Sequence, residues 1–259
     1  SDGQLLFLLN NISKMKQDTP LGSRIVEVHN GSSLFTGDAG SGESNARRYM
    51  IENDLVEAII ALPEKMFYNT GIGTFIWVLS NRKEERRKGK IQLIDATAIK
   101  TPLRKNMGEK NCELSPAQRQ EIVRIFMAFE ESEVSRIFPN SEFGYWKVSV
   151  QQPLLDEQGN PALDKKGRIQ PDKAKADTEI IPFRYEGGIE AFMDAEVRPY
   201  APGAFIDPKA TKIGYELSFT KYFYKPVQLR SMEDIVADLK ALEKETDGML
   251  AEILGGIQG

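Results

Sequence analysis

Gly37, Gly40 and Gly42 lie in the stretch "LFTGDAGSGESNARRYM", residues 34 to 50, where a loop runs into a helical pattern. Backbone N–H groups at such a junction are a common cradle for phosphate. Gly37 to Gly42 matches the opening of a phosphate-binding loop, but Glu43 stands where that motif needs lysine. A carboxylate there repels the phosphates that the lysine would neutralise, and no lysine lies between Lys16 and Lys65 to replace it. The dinucleotide pattern fails as well, because Asn45 occupies its third glycine position. The loop is expected to hold no nucleotide, and a plain turn into a helix is the default.

Other chemistry-bearing residues are sparse. His29 is the single histidine and Cys112 the single cysteine, so neither a multi-histidine metal site nor a cysteine cluster can form within the chain. "DEQGNPALDKKG" lacks alternating oxygen ligands before its glycine and is not a calcium loop. No metal is expected. His29, Asn30 and Gly31 close a strand-like run at its carboxyl end, where open α/β sheets bind ligands. No carboxylate or backbone partner stands at an obvious spacing to poise His29 as a base. Arg47 and Arg48 can meet phosphates, although a solvated helix face is the commoner use of such a pair. Phe67 and Tyr68 sit between two apolar runs, where an aromatic either caps a core or offers a stacking face.

The elements that must position these residues can be read from periodicity. "GQLLFLLNNISKMK" is an amphipathic helix, with Leu5, Leu6, Leu9, Ile12 and Met15 near helical spacing. "RIVEVHN" (24–30) is a strand and 43–54 a helix capped by Ser41 or Ser44. "LVEAIIALP" (55–63) reads as a strand covered on both faces, and "TFIWVLSN" (74–81) as its antiparallel neighbour, since no helix pattern separates them. "RKEERRKGK" (82–90) reads as a solvated turn into the strand "IQLIDA" (91–96). A helix over 115–132 starts at Ser115 with Pro116 in its first turn. Then come a strand (143–154), a polar hairpin or loop (156–177), and a final helix over 231–254. Ile235, Leu239, Leu242, Thr246, Met249 and Ile253 repeat in that last helix as a short heptad seam.

At 259 residues the chain can bury a core without staples, and 41% hydrophobic with 28% charged residues is an ordinary globular composition. The formal net charge of −4 argues against a chain-wide nucleic-acid coat but not against a local basic surface. No apolar run approaches the ~18 residues that a membrane span needs, and one cysteine suits a reducing compartment. The expected localisation is cytoplasmic, with no membrane partner.

"GSRIVEVHNGSSLFTGDAGSGESNARRYMIENDLVEAIIALPEKMFYNTGIGTFIWVLSNRK" (22–83) closely resembles the methyltransferase (M) subunit of type I restriction-modification systems. The likeness continues more loosely through "FGYWKVSVQQPL", "DTEIIPF", "VRPYAPGAFID" and "KIGYELSFTKYF" into the last helix. Such subunits are S-adenosylmethionine-dependent adenine methyltransferases acting on DNA. Two family motifs are absent, the glycine-rich cofactor motif and the Asn-Pro-Pro-Phe tetrapeptide; Asn160-Pro161 is followed by Ala162. Glu27 also departs from a family strand that is usually apolar at that point.

The resemblance therefore implies an α/β fold, the latter half of a Rossmann-like S-adenosylmethionine-dependent methyltransferase sheet. Residues 1–110 would be that half, 111–230 an α+β extension, and 231–259 a helix docking the specificity subunit. It implies a C-terminal portion that methylates nothing by itself, with the main S-adenosylmethionine motif elsewhere. It implies DNA, the specificity subunit and the restriction subunit as partners. Phe67 falls where adenine methyltransferases stack an aromatic on the flipped base, with Tyr68 a weaker candidate. His29, Asn30 and Gly31 then contact DNA or the base pocket, or His29 is a hydrogen-bonded structural residue. The alternative function is a non-catalytic assembly module for the specificity subunit.

Overall fold

A computed structural model describes residues 3–224 and 231–255, the side chains of the last helix only to 242 and at 244. The chain divides into two compact units, Ser1–Phe223 and Tyr224–Gly259.

The first unit opens with α1 (Gln4–Ile12), β1 (Arg24–Asn30), the single turn α2 (Ser32–Phe35) and α3 (Gly42–Glu52). β2 (Val56–Ala61), β3 (Thr74–Ser80) and β4 (Lys90–Asp95) follow. A hairpin of β5 (Thr101–Met107) and β6 (Lys110–Glu113) precedes α4 (Pro116–Ala128) and β7 (Ser135–Pro139). One mixed sheet takes the order β1-β3-β2-β4-β7. β2 and β4 pair in parallel and the other neighbours antiparallel, so β1, β2 and β4 point the same way. Their carboxyl ends share one edge of the sheet. The expected boundary near residue 110 does not divide the strands: β7 lies beyond it yet completes this sheet.

Every residue of β2 is buried, in keeping with an apolar run interrupted only by Glu57. On one face Ile59, Trp77, Leu79 and Leu93 meet α1 and α3; on the other Ile60, Val78 and Ile94 meet Ile122 of α4. The buried stripe of α1 is Leu5, Leu8 and Ile12, followed by Met15. Leu6, expected in that stripe, is 64% exposed, because 5-8-12-15 follows the helical repeat more closely. Ser41 caps α3, its side chain accepting from Ser44 N, and Ser115 forms a capping box with Gln118 at α4.

The expected solvated turn at 82–90 is mostly exposed, but it buries Lys83 and Arg87. Arg86 donates to the carbonyls of Ala128 (2.9 Å) and Met127 (2.7 Å), and Arg87 to that of Phe126, which satisfies the open C-terminus of α4. The Arg87 guanidinium lies 4.3 Å from the ring centroids of both Phe126 and Phe129. A register shift in β2 between Val56 and Ala58 leaves buried Glu57 to meet Arg24 at 3.2 Å and Arg87 at 3.5 Å. Lys83 is buried against Asp54 at 2.6 Å.

A second sheet centres on β8 (Gly144–Gln151), with β9 (Asp177–Pro182) on one side and β10 (Phe205–Ile206) and β11 (Lys212–Tyr215) on the other. It packs Val148, Val150 and Ile181 against Met193 and the short α5 (Gly188–Phe192). Between β8 and β9 the polar segment folds as two tight turns. Asp156 Oδ1 accepts from the N–H groups of Gln158 and Asn160, and Asp164 Oδ1 from those of Lys166 and Arg168. The unit ends with α6 (Phe219–Phe223).

α3 ties this second sheet to the first. Ser44 Oγ accepts from Tyr215 N at 3.0 Å, while Arg47 Nε donates to Tyr215 O at 2.7 Å. Both backbone groups of one β11 residue are thus satisfied by side chains from α3.

The second unit contains α7 (Met232–Gly255), whose first turn is capped by Ser231 Oγ accepting from Asp234 N. In the heptad seam Ile235 is 41% and Leu239 60% exposed. The side chains of Thr246, Met249 and Ile253 lie outside the described residues. No helix among the described residues is long and apolar enough to cross a membrane.

Candidate functional site

The shared carboxyl edge brings together Asn30 and Gly31 after β1, the loop 62–73 after β2, and the β5–β6 hairpin after β4. The loop carries Phe67 and Tyr68. Phe67 is 37% and Tyr68 59% exposed, and Phe67 belongs to none of the apolar clusters among the described residues. A side chain capping the core would sit in one of them.

What holds this loop is the hairpin. Asn111 N donates to Lys65 O at 3.0 Å, Lys110 Nζ to Met66 O at 2.8 Å, and the Cys112 thiol to Glu64 O at 3.3 Å. Three consecutive carbonyls are therefore fixed immediately before Phe67. Lys110 Nζ also stands 5.5 Å from the Tyr68 ring centroid, and the Tyr68 hydroxyl meets Met107 Sδ at 3.9 Å. The loop presents an aromatic face on a backbone pinned from behind. Sequence reasoning missed the hairpin's part; the signal available was the cation-rich turn "RKNMGEK" (104–110).

His29 sits at 4% exposure on the helix-facing side of β1, its ring 5.8 Å from Trp77. Its Nε2 meets Glu27 Oε2 at 3.0 Å, and its Nδ1 has no hydrogen-bond partner among the described residues. The expectation that no carboxylate would partner His29 is corrected. Residues two apart on a strand share a face, so "EVH" already placed Glu27 beside it. Glu27, the apparent misfit in this strand, also accepts from Asn11 Nδ2 of α1. These contacts suit a structural histidine.

Asn30 Oδ1 accepts from Ser32 N at 2.9 Å, an Asx turn that leads the chain into α2. A Cβ at Gly31 would lie 3.2 Å from the Phe75 ring, so that glycine is held by close packing. Arg47 is withdrawn as a phosphate contact, for it is fully buried and its three nitrogens donate to Tyr215 O, Ser33 O and Thr36 O. Arg48 is half-exposed and paired with Glu52 at 2.9 Å.

The glycine loop is packed from within at Gly37, whereas a Cβ at Gly42 would meet nothing within 4 Å. A Cβ at Gly37 would lie 2.4 Å from Ser41 Oγ and 2.9 Å from Glu43 Cβ, while Lys147 grips Asp38 at 2.7 Å. Around Gly37 and Asp38 there is neither the open glycine turn nor the free carboxylate by which α/β sheets hold a dinucleotide. No group of three potential metal ligands occurs among the described residues.

Residues 1–148 match the family model described as N-6 DNA Methylase, more than half of the chain. The type I restriction enzyme MjaVII methylase subunit of Methanocaldococcus jannaschii is 47% identical over 58 residues, 22% of this chain and 10% of that protein. The MjaIX methylase subunit of the same organism is 33% identical over 112 residues, 43% of this chain and 19% of that protein. The chain thus spans less than a fifth of the length of either relative. Among solved structures, a type I restriction-modification methyltransferase subunit from Streptococcus thermophilus superposes with a TM-score of 0.46 at 22% identity, over 55% of this chain and 28% of that one. That superposition is too loose to place any residue by analogy.

Proposed function

Since the chain belongs to the N-6 DNA methylase family, we propose that it forms part of a type I restriction-modification methyltransferase subunit. The reaction proposed is methyl transfer from S-adenosylmethionine to the adenine amino group in DNA. Within that subunit this chain's part is to present the target base, while the cofactor is held by residues outside it. The observation that supports this reading most is Phe67: an aromatic outside every core cluster, at the ligand-binding edge of an α/β sheet, on a loop whose preceding carbonyls are anchored. An adenine drawn out of the duplex loses its stacking, and an aromatic face restores ~1–3 kcal/mol of it. Because Phe67 is fixed before the base arrives, little ordering cost is met on binding.

The test is the product. The longer protein containing this chain, assembled with its specificity subunit, is expected to form N6-methyladenine from DNA and S-adenosylmethionine. Methylation confined to cytosine, or none, overturns the reading.

In the same assembly α7 is proposed to dock the specificity subunit through the seam begun by Ile235 and Leu239. A seam of about two and a half heptads is marginal for a helix on its own, and burial against another helix stabilises it. Deleting residues 231–259 is expected to abolish co-purification with the specificity subunit while cofactor binding survives. Unchanged complex formation removes the docking role.

A further inference from the structure

The hairpin of β5 and β6 does more than brace the aromatic loop. We propose that it is an arm laid along the DNA backbone beside the extruded base, with Arg104 and Lys105 as its phosphate contacts. The proposal rests on the adenine methyltransferase reading and adds a binding surface to it.

Position comes first. The hairpin leaves the sheet at the carboxyl end of β4, on the edge where Phe67 stands, and its tip at Met107 and Lys110 touches Tyr68. Arg104 lies three residues back along the strand from Met107. The pairing with β6 is irregular between Pro102 and Met107, so at ~3.4 Å per residue the separation is at most about 10 Å, up to roughly three base-pair steps along a duplex. A base held at Phe67 therefore brings the neighbouring phosphates of its own strand within reach of the arm.

Shape and charge agree with this. β5 and β6 form a two-stranded ribbon with no third strand among the described residues, and β5 is exposed along its length except at half-buried Leu103. Residues 100–113 hold Lys100, Arg104, Lys105 and Lys110 against Glu109 and Glu113, a net positive stretch in a chain of net charge −4. Many other cations of the first unit are engaged in the fold: Arg24 and Arg87 with Glu57, Arg48 with Glu52, Lys83 with Asp54, Arg47 with three carbonyls. Arg104 and Lys105 are exposed and hold no ion pair among the described residues. Two hydrated cations on an open ribbon add little to folding, whereas each phosphate they neutralise releases a condensed counterion.

The experiment uses the full-length subunit in its assembled enzyme. Arg104→Gln with Lys105→Gln is compared with the charge-keeping pair Arg104→Lys with Lys105→Arg, on cognate and unrelated duplexes across a salt series. The neutral pair is expected to lower the slope of log affinity against log salt by about 1–2. Affinity for both duplexes should fall roughly 10- to 30-fold near physiological salt. The charge-keeping pair should retain the parent slope. An unchanged slope overturns the arm, and so does a loss shared by the charge-keeping pair, which marks a structural effect. If the parent enzyme forms no N6-methyladenine, the underlying reading falls and the arm with it; failure of the arm alone leaves methylation intact.

Discussion

Phe67→Ala in the assembled, full-length enzyme is expected to lower methylation at subsaturating DNA by roughly 5- to 150-fold, with melting close to that of the parent. The two roles open to an aromatic at this position predict opposite costs. A core cap changed to alanine loses about 3–5 kcal/mol of stability, which in a domain of this size lowers Tm by roughly 6–20 °C. A stacking face loses base-binding energy instead. Phe67 is 37% exposed and outside all three apolar clusters, which favours the second cost. Phe67→Tyr and Phe67→Trp keep a π-face and should retain most activity. Methylation rate and Tm, measured on the same preparation, decide the matter. A collapsed Tm or untouched activity sinks the stacking role.

Arg47→Ala is expected to cost about 3–5 kcal/mol of stability, read by thermal or denaturant unfolding as a Tm lower by roughly 6–20 °C. Nε, Nη1 and Nη2 each serve a carbonyl, at 2.7 Å to Tyr215, 3.1 Å to Ser33 and 2.8 Å to Thr36. Truncation leaves three acceptors without their donor and opens a cavity the length of the side chain. Burial lowers the guanidinium pKa from its ordinary value, with Glu216, Tyr145 and Glu43 opposing that shift, yet the group stays charged at any working pH. Carbonyl dipoles therefore carry much of the solvation that water has given up. Arg47→Lys should recover only a minor part, because one ammonium cannot span three acceptors set in a fork. Unfolding of Arg47→Ala within about 2 °C of the parent, under 1 kcal/mol at this size, shows that the clamp is not what holds the sheets together.

Most elements of the first sheet were legible in the sequence, because each carries its own local signal. The nearly continuous apolar run in 55–63 announced a doubly covered strand, Ser115 and Pro116 a helix start, and the short link to 74–81 an antiparallel neighbour. What escaped was long-range side-chain work. Arg47 reads as a surface arginine until Tyr215, far along the chain, closes over it. Lys83, Arg86 and Arg87 read as a solvated run because their partners, Asp54, Glu57 and the end of α4, lie in other elements. Glu27 beside His29 is a different case, since strand alternation alone placed them on one face. At the site, the aromatic pair was visible in the sequence. The hairpin that fixes its backbone was signalled only by the cation-rich turn 104–110, because the main-chain carbonyls it grips leave no trace in side-chain pattern.

The Arg47 clamp also sets a timetable for synthesis. Its acceptor at Tyr215 lies 168 residues downstream. A ribosome adding ~5–20 residues each second needs roughly 8–34 s to make that stretch. Throughout that interval α3 can exist, but its guanidinium has no Tyr215 carbonyl to receive it, and the face meant for β11 is bare. The strands of the first sheet are all made by residue 139, but the α3 side that meets β11 stays uncovered until nearly the whole first unit has left the exit tunnel. Slow codons before residue 215, or in the stretch after it that must be made before Tyr215 clears the tunnel, would prolong exposure of that face to chaperones.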